Sequence, residues 1–167
     1  PALIPLEVPM ASVNGVLNAV EVEGDLVGPL WFQGPGAGAE PTASAVVGDI
    51  LKITESSGIN SHRSGTFASF NIRPMNDHVC QYYMRLTASD QPGVLANVAR
   101  VLGNADISIS AVLQKDTDIE KTQADLVIMT HPAREANMQT AVSLIRKLET
   151  VIQLDNLIRV ENYVGRL

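Results

Sequence analysis

Tyr82 to Leu102 reads YYMRLTASDQPGVLANVARVL, and its reading decides the fold, because it joins a strand pattern to a helix pattern through a turn rich in hydrogen-bond donors. Tyr82, Met84 and Leu86 alternate with Tyr83, Arg85 and Thr87, which predicts a strand with one buried face ending at Ala88. Ser89 or Asp90 then suits an N-cap, Pro92 the first helical position, and Gly93 a close approach to the backbone. Val94, Leu95, Val98, Val101 and Leu102 form one apolar stripe, and Gly103-Asn104 supplies a C-cap signal. The N–H groups near Gly93, Val94 and Leu95 thus point outward at the positive end of a helix dipole, a place for an anion. The plainer reading is that Asp90 caps the helix and water satisfies the rest. A carboxylate at a helix N-terminus gains only about 0.3–1 kcal/mol, whereas millimolar binding needs about 4 kcal/mol. A ligand site here therefore requires buried contacts from a second subunit or a second copy of the domain.

The elements that follow complete the pattern. Ile107, Ile109, Ala111 and Leu113 alternate with Ser108, Ser110 and Gln114, and Ala124, Leu126 and Ile128 with Asp125, Val127 and Met129. Charged KDTDIEKTQ lies between these two strands as a hairpin loop. His131-Pro132 ends the second strand, Ala133 to Leu148 reads as a helix with Ala141, Leu144, Ile145 and Leu148 inward, and Val151 to Val160 as a last strand with a turn near Asp155-Asn156. The order βαββαβ predicts a ferredoxin-like split unit, an antiparallel sheet with two helices on one face. Fold alone does not name function.

Upstream, PALIPLEVPM has three prolines in nine residues and predicts an extended connector cut from a larger domain, and Pro1 without an initiator Met points the same way. Val13 to Val22 and Leu26 to Phe32 read as a hairpin across Glu23-Gly24-Asp25, with a kink at Asn14-Gly15. The loop Gln33 to Gly38 then leads into a helix over Ala43 to Ile53 with Thr42 as N-cap and Val46, Val47, Ile50, Leu51 and Ile53 as its stripe. A hairpin and one helix cannot bury both faces, so these strands call for a sheet from elsewhere. GPGAG fits neither common phosphate-loop spacing and reads by itself as a turn. Ser56 to Pro74 is polar and aperiodic and marks a boundary. The division is residues 1–56, a linker over 57–77, and residues 78–167.

Composition excludes several classes. With 46% hydrophobic and 18% charged residues the chain can bury a core, and a net charge of −6 argues against nucleic acid or an anionic membrane as partner. Cys80 is the lone cysteine, so no disulfide framework or CxxC pair exists, which fits a reducing cytoplasm. No membrane-length apolar run or signal segment is present. His62, His78 and His131 sit far apart without a Cys or acidic partner at ligand spacing, so no metal site is expected. Glu21 and Glu23 read as a solvated strand face, and no set of catalytic residues is found.

Two stretches carry a family resemblance. LIP, ASVNGVLNAV, EGD and GPGAG followed by PTASAVVGDI, between Leu3 and Asp49, resemble the end of the catalytic region of homoserine dehydrogenase. Tyr82 to Glu161, with LTASDQPGVLANVARVL, resembles an ACT domain, the effector-binding module at the C-terminus of many such enzymes. The resemblance implies a parent that reduces aspartate 4-semialdehyde to homoserine with NAD(P)H, on the path to threonine, isoleucine and methionine. It places the nucleotide-binding domain and catalytic lysines outside this chain, so no dehydrogenase activity and no bound cofactor are expected of the chain alone. It implies that Gly38, with Gly36 and Ala37, contacts the cofactor in the intact enzyme. It further implies a homo-oligomer through ACT domains and an amino-acid effector, threonine first, held by Asp90, Gly93, Val94 and Leu95, with Asn104 to Ile107 closing the pocket. A competing reading is an ACT-like module that only dimerises; an ACT domain of aspartokinase or phosphoglycerate dehydrogenase is disfavoured by the first fifty residues.

Overall fold

A computed structural model describes residues 1–56, 71–118 and 123–161. The chain forms two compact units: Pro1–Pro5 join the described residues from Ile72 onward, and the described residues between Leu6 and Asn71 contribute the other. Most of the linker expected over 57–77 lies outside the described residues.

The first residues are not merely a connector: β1 (Ala2–Leu3) pairs in parallel with Arg159 and Val160 in the last strand. In the second unit, β2 (Leu17–Gly24) and β3 (Gly28–Pro35) form an antiparallel hairpin. Its turn is Asp25-Leu26-Val27, two residues later than the sequence suggests, because Gly24 pairs with Gly28 and Gly28 supplies a positive φ of 73°. Asn14-Gly15 forms a turn ahead of β2, so Val13 lies outside the strand. Helix α1 (Ala39–Ser56) starts before Thr42, which sits in the first turn with its Oγ1 donating to the Gly38 carbonyl rather than capping. Val20 and Phe32 of the hairpin and Val46, Val47, Ile50 and Leu51 of α1 are each more than half exposed.

The other unit is built on β4 (Val79–Ser89), which pairs along its length on both sides. It is followed by α2 (Val94–Asn104), β5 (Ile109–Asp118), β6 (Gln123–Thr130), a two-residue β7 (Ala133–Arg134), α3 (Glu135–Ile145) and β8 (Val151–Val160). The sheet order β1-β8-β4-β6-β5, with β7 added to β4, contains the fourth-first-third-second arrangement of a ferredoxin-like βαββαβ unit. Tyr82, Met84, Leu86 and Ala88 of β4 join Val98 and Leu102 of α2 and Met138, Ala141 and Ile145 of α3 in one core. Alternation on the strand and the helical stripes therefore meet on a single face of the sheet.

The element ends depart from the sequence reading for local reasons. β4 runs through Ser89, which pairs with Gln123, so neither Ser89 nor Asp90 caps α2. The N-cap is Gly93 at φ 93°, and Pro92 precedes the helix. At its other end the left-handed residue is Asp106 at φ 57°, with Ile107 N donating to Leu102 O and Asp106 N to Gly103 O, a Schellman closure beyond the Gly103-Asn104 signal. Helix α3 is shorter than Ala133 to Leu148, since Ala133 and Arg134 pair with β4. Its inner face carries Met138 and Val142, while Leu144 is 43% exposed. The turn expected at Asp155-Asn156 is a bulge: Arg85 pairs with Asn156 and Leu86 with Leu154, leaving Asp155 extra, where it accepts from Thr87 Oγ1 at 2.9 Å. β5 extends through Asp118, into the stretch expected as loop; residues 119–122 lie outside the described ones.

Candidate functional site

The turn between β4 and α2 borders a pocket of about 370 Å³. Asp90, Gly93, Val94 and Leu95 line it from the turn and the first helical residues, and Ala124 and Leu126 line it from β6. The turn is tight, with Gln91 N donating to Ser89 O and Val94 N to Gln91 O at 3.4 Å. The first intrahelical bond of α2 runs from Asn97 N to Gly93 O, so the N–H groups of Leu95 and Ala96 lie ahead of the ladder at the positive end of the dipole. Gly93 adopts a left-handed φ, and a Cβ there would meet no atom within 4 Å, so glycine serves the backbone conformation rather than the space. Asn104 and Ile107 are not brought to this pocket: they sit at the far end of α2, where Ile107 is 3% exposed and borders a separate hollow with Asp106 and Ser108.

Gly36, Ala37 and Gly38 form the exposed link from β3 to α1. Gly36 N donates to Val16 O at 2.7 Å, and Gly38, at φ 130°, directly precedes the helix. A Cβ on Gly36 would fall 1.4 Å from Asn18 Nδ2, so this glycine admits the Asn18 side chain.

At the other end of β4 lies a polar cluster that spacing in sequence did not reveal. Glu135, at the start of α3 and 3% exposed, accepts from Tyr82 Oη at 2.8 Å, Arg159 Nε at 2.8 Å and Gln139 Nε2 at 2.7 Å. The Arg159 guanidinium holds the Glu135 carboxyl down to about 2, against a smaller opposing push from burial. Burial, followed by the bonds to its neighbours, drives the Tyr82 hydroxyl well above its ordinary range, and burial pushes the Cys80 thiol up. His78, read as isolated, has both a Cys and an acidic partner: its Nε2 lies 2.9 Å from Glu161 Oε1, and ligand atoms of His78, Cys80 and Glu161 all fall within 4.8 Å of one another. The pairing of β4 with β8 creates this neighbourhood across 83 residues of sequence, so only knowledge of the register could have found it.

Comparison with known proteins matches residues 1–51 to the homoserine dehydrogenase family and residues 82–150 to the ACT domain family. The homoserine dehydrogenase of Neisseria gonorrhoeae is 39% identical over 97% of this chain, and that of Helicobacter pylori 36% identical over 97%. The chain matches the C-terminal portion of homoserine dehydrogenases, the end of the catalytic region followed by an ACT domain. A crystal structure of a homoserine dehydrogenase from Thiobacillus denitrificans matches 97% of the chain with a TM-score of 0.77 and 39% identity. The chain spans 39% and 38% of the length of the Neisseria and Helicobacter relatives.

Gly36 to Gly38 fall in the first matched stretch and the β4–α2 pocket in the ACT stretch. Among the described residues no helix is long and apolar enough to cross a membrane.

Proposed function

We propose that this chain is the regulatory C-terminal part of a homoserine dehydrogenase, and that its ACT unit binds an amino-acid effector. The parent reaction interconverts aspartate 4-semialdehyde and homoserine with NAD(P) in the cytoplasm. The observation that carries the effector reading is the β4–α2 pocket, where a left-handed glycine and a helix N-terminus face a cavity of amino-acid size. Leu95 and Ala96 N–H groups suit the effector carboxylate, Asp90 its ammonium group, and the apolar Val94, Ala124 and Leu126 its side chain. Threonine is the first candidate as an end product of the route. Asn104, exposed at the far end of α2, enters the site only from a neighbouring ACT unit in a homo-oligomer, which supplies the buried contacts that the dipole alone lacks, whereas Ile107 stays in the core of its own unit. Feedback follows if threonine binds more tightly to the paired arrangement that holds the catalytic half less active.

The loop Gly36 to Gly38 fits a cofactor contact, since it is exposed, carries little side-chain bulk and leads into the positive end of α1. NAD(P) supplies hydride in the intact enzyme; these residues would only hold and orient it.

A second reading, pairing without an effector, draws on the edge position of β5, whose Val112 and Leu113 are 39% and 53% exposed. Isothermal titration of the chain with threonine, isoleucine, serine and methionine separates the two. Heat with threonine, abolished by Gly93→Val, is the expected result. Silence across the panel overturns the effector reading and leaves the pairing module.

A further inference from the structure

We propose that His78, Cys80 and Glu161 form a site for a divalent ion of zinc type, clamping the start of β4 to the end of β8. The three residues lie outside both matched family segments, and the inference does not depend on effector binding.

The sheet sets the geometry. His78 and Cys80 are two residues apart at the entry to β4 and so share a face, the one that Tyr82 continues into the core. Gln81 pairs with Val160, so Glu161 follows as the cross-strand neighbour of Cys80. Backbone bonds hold two of the residues: His78 O accepts from Glu135 N at 2.8 Å, and Glu161 N donates to Leu3 O at 2.9 Å. Cys80 is 6% exposed at the base, while the His78 and Glu161 side chains are 36% and 29% exposed, which leaves an entry path.

An imidazole nitrogen, a thiolate and a carboxylate are the donors a borderline-soft ion takes, and three protein ligands leave one position for water. Tetrahedral bonds of about 2.0–2.3 Å place ligand atoms about 3.3–3.8 Å apart. The 2.9 Å contact between His78 and Glu161 then opens slightly, and any pair near the 4.8 Å limit closes by side-chain rotation. On binding, the Cys80 S–H bond breaks, its proton goes to water, and its sulfur lone pair forms the metal bond. No electron is transferred. Thiolate and carboxylate balance the ion's two positive charges. Arg159, whose charge acts on Cys80, is already committed to Glu135 at 2.8 Å. The ion would thereby fasten the sheet where β1 adds to β8.

The test uses Co²⁺ as the spectroscopic probe on the full chain, with Zn²⁺ as competitor. A near-ultraviolet sulfur-to-cobalt band that saturates at one ion per chain and is abolished by Zn²⁺ is expected. Cys80→Ser should remove the band, and His78→Gln and Glu161→Gln should each weaken Co²⁺ binding by at least about tenfold. The last two are partly exposed and keep the test valid if the buried serine variant fails to fold. No band from the folded chain, a band that survives Cys80→Ser, or unchanged affinity in both glutamine variants overturns the site.

Discussion

Replacing Glu135 by Gln removes one charge from the most buried ion pair among the described residues while preserving side-chain size. The Glu135 carboxylate, 3% exposed, accepts from Arg159, Tyr82 and Gln139, and the guanidinium holds it at about 2 instead of its ordinary 4.5. Since each tenfold change in proton affinity is about 1.4 kcal/mol, the displacement corresponds to about 3 kcal/mol of folding stability at neutral pH. Removing one partner of a fully buried pair costs about 3–5 kcal/mol, and Arg159, 30% exposed, keeps part of its hydration when left without its counter-ion, which puts this pair at the lower end. The sign follows from a depressed carboxyl. The stabilisation is complete above the unfolded value of 4.5 and disappears as pH falls from there through about 2. Native-state amide exchange in β4 and β8 reads this unit separately from the hairpin unit. The expected result is a deficit of about 3 kcal/mol for Glu135→Gln near pH 7, shrinking steadily as the pH is lowered below about 4.5. A deficit under about 1 kcal/mol at neutral pH, or one that does not change on acidification, would refute the reasoning.

Other substitutions test the remaining elements. Gly93→Ala forces a Cβ into a left-handed conformation at φ 93° and should cost about 1–2 kcal/mol in urea unfolding, although the added carbon meets no neighbour. Asp106→Gly should do the reverse at the Schellman closure, raising stability by up to about 1 kcal/mol; a loss would mean that the Asp106 side chain contributes there. On α3, Ile145→Ala should cost about 2–5 kcal/mol and Leu144→Ala much less, reversing the equal inward roles that their positions in sequence suggest. Deleting Pro1–Pro5 removes the acceptor of the Glu161 amide, whose hydrogen exchange should accelerate; unchanged protection would deny β1 a place on the sheet.

The periodic elements were legible in sequence because burial on one face imposes a rhythm on the residues themselves. Tyr82, Met84 and Leu86 announced β4, and Val94, Val98 and Leu102 announced α2. What sequence concealed was set by pairing between distant segments. β4 continues to Ser89 because Gln123 and Thr150 offer it partners, which displaces the cap from Asp90 to Gly93. Leu144 and Val142 exchanged roles because helical spacing gives a stripe, while the sheet decides which flank of that stripe it covers. Asp155 became a bulge because β8 carries two residues more than β4 can match over their paired stretch, Asp155 and Ile152. Four of the six effector positions line one pocket, whereas Asn104 and Ile107 belong to the opposite end of the same helix. The His78, Cys80 and Glu161 neighbourhood depends wholly on the β4–β8 register, which periodicity does not encode.

The two-residue strand β1 changes how the chain is wired. Because Ala2 and Leu3 lie in the ACT sheet, the chain leaves that sheet after Leu3 and returns to it only at Val79, so the sheet draws strands from both sides of the hairpin segment. A fragment begun at the apparent boundary would therefore lack one strand of this sheet and leave the β8 edge unpaired at Arg159 and Val160.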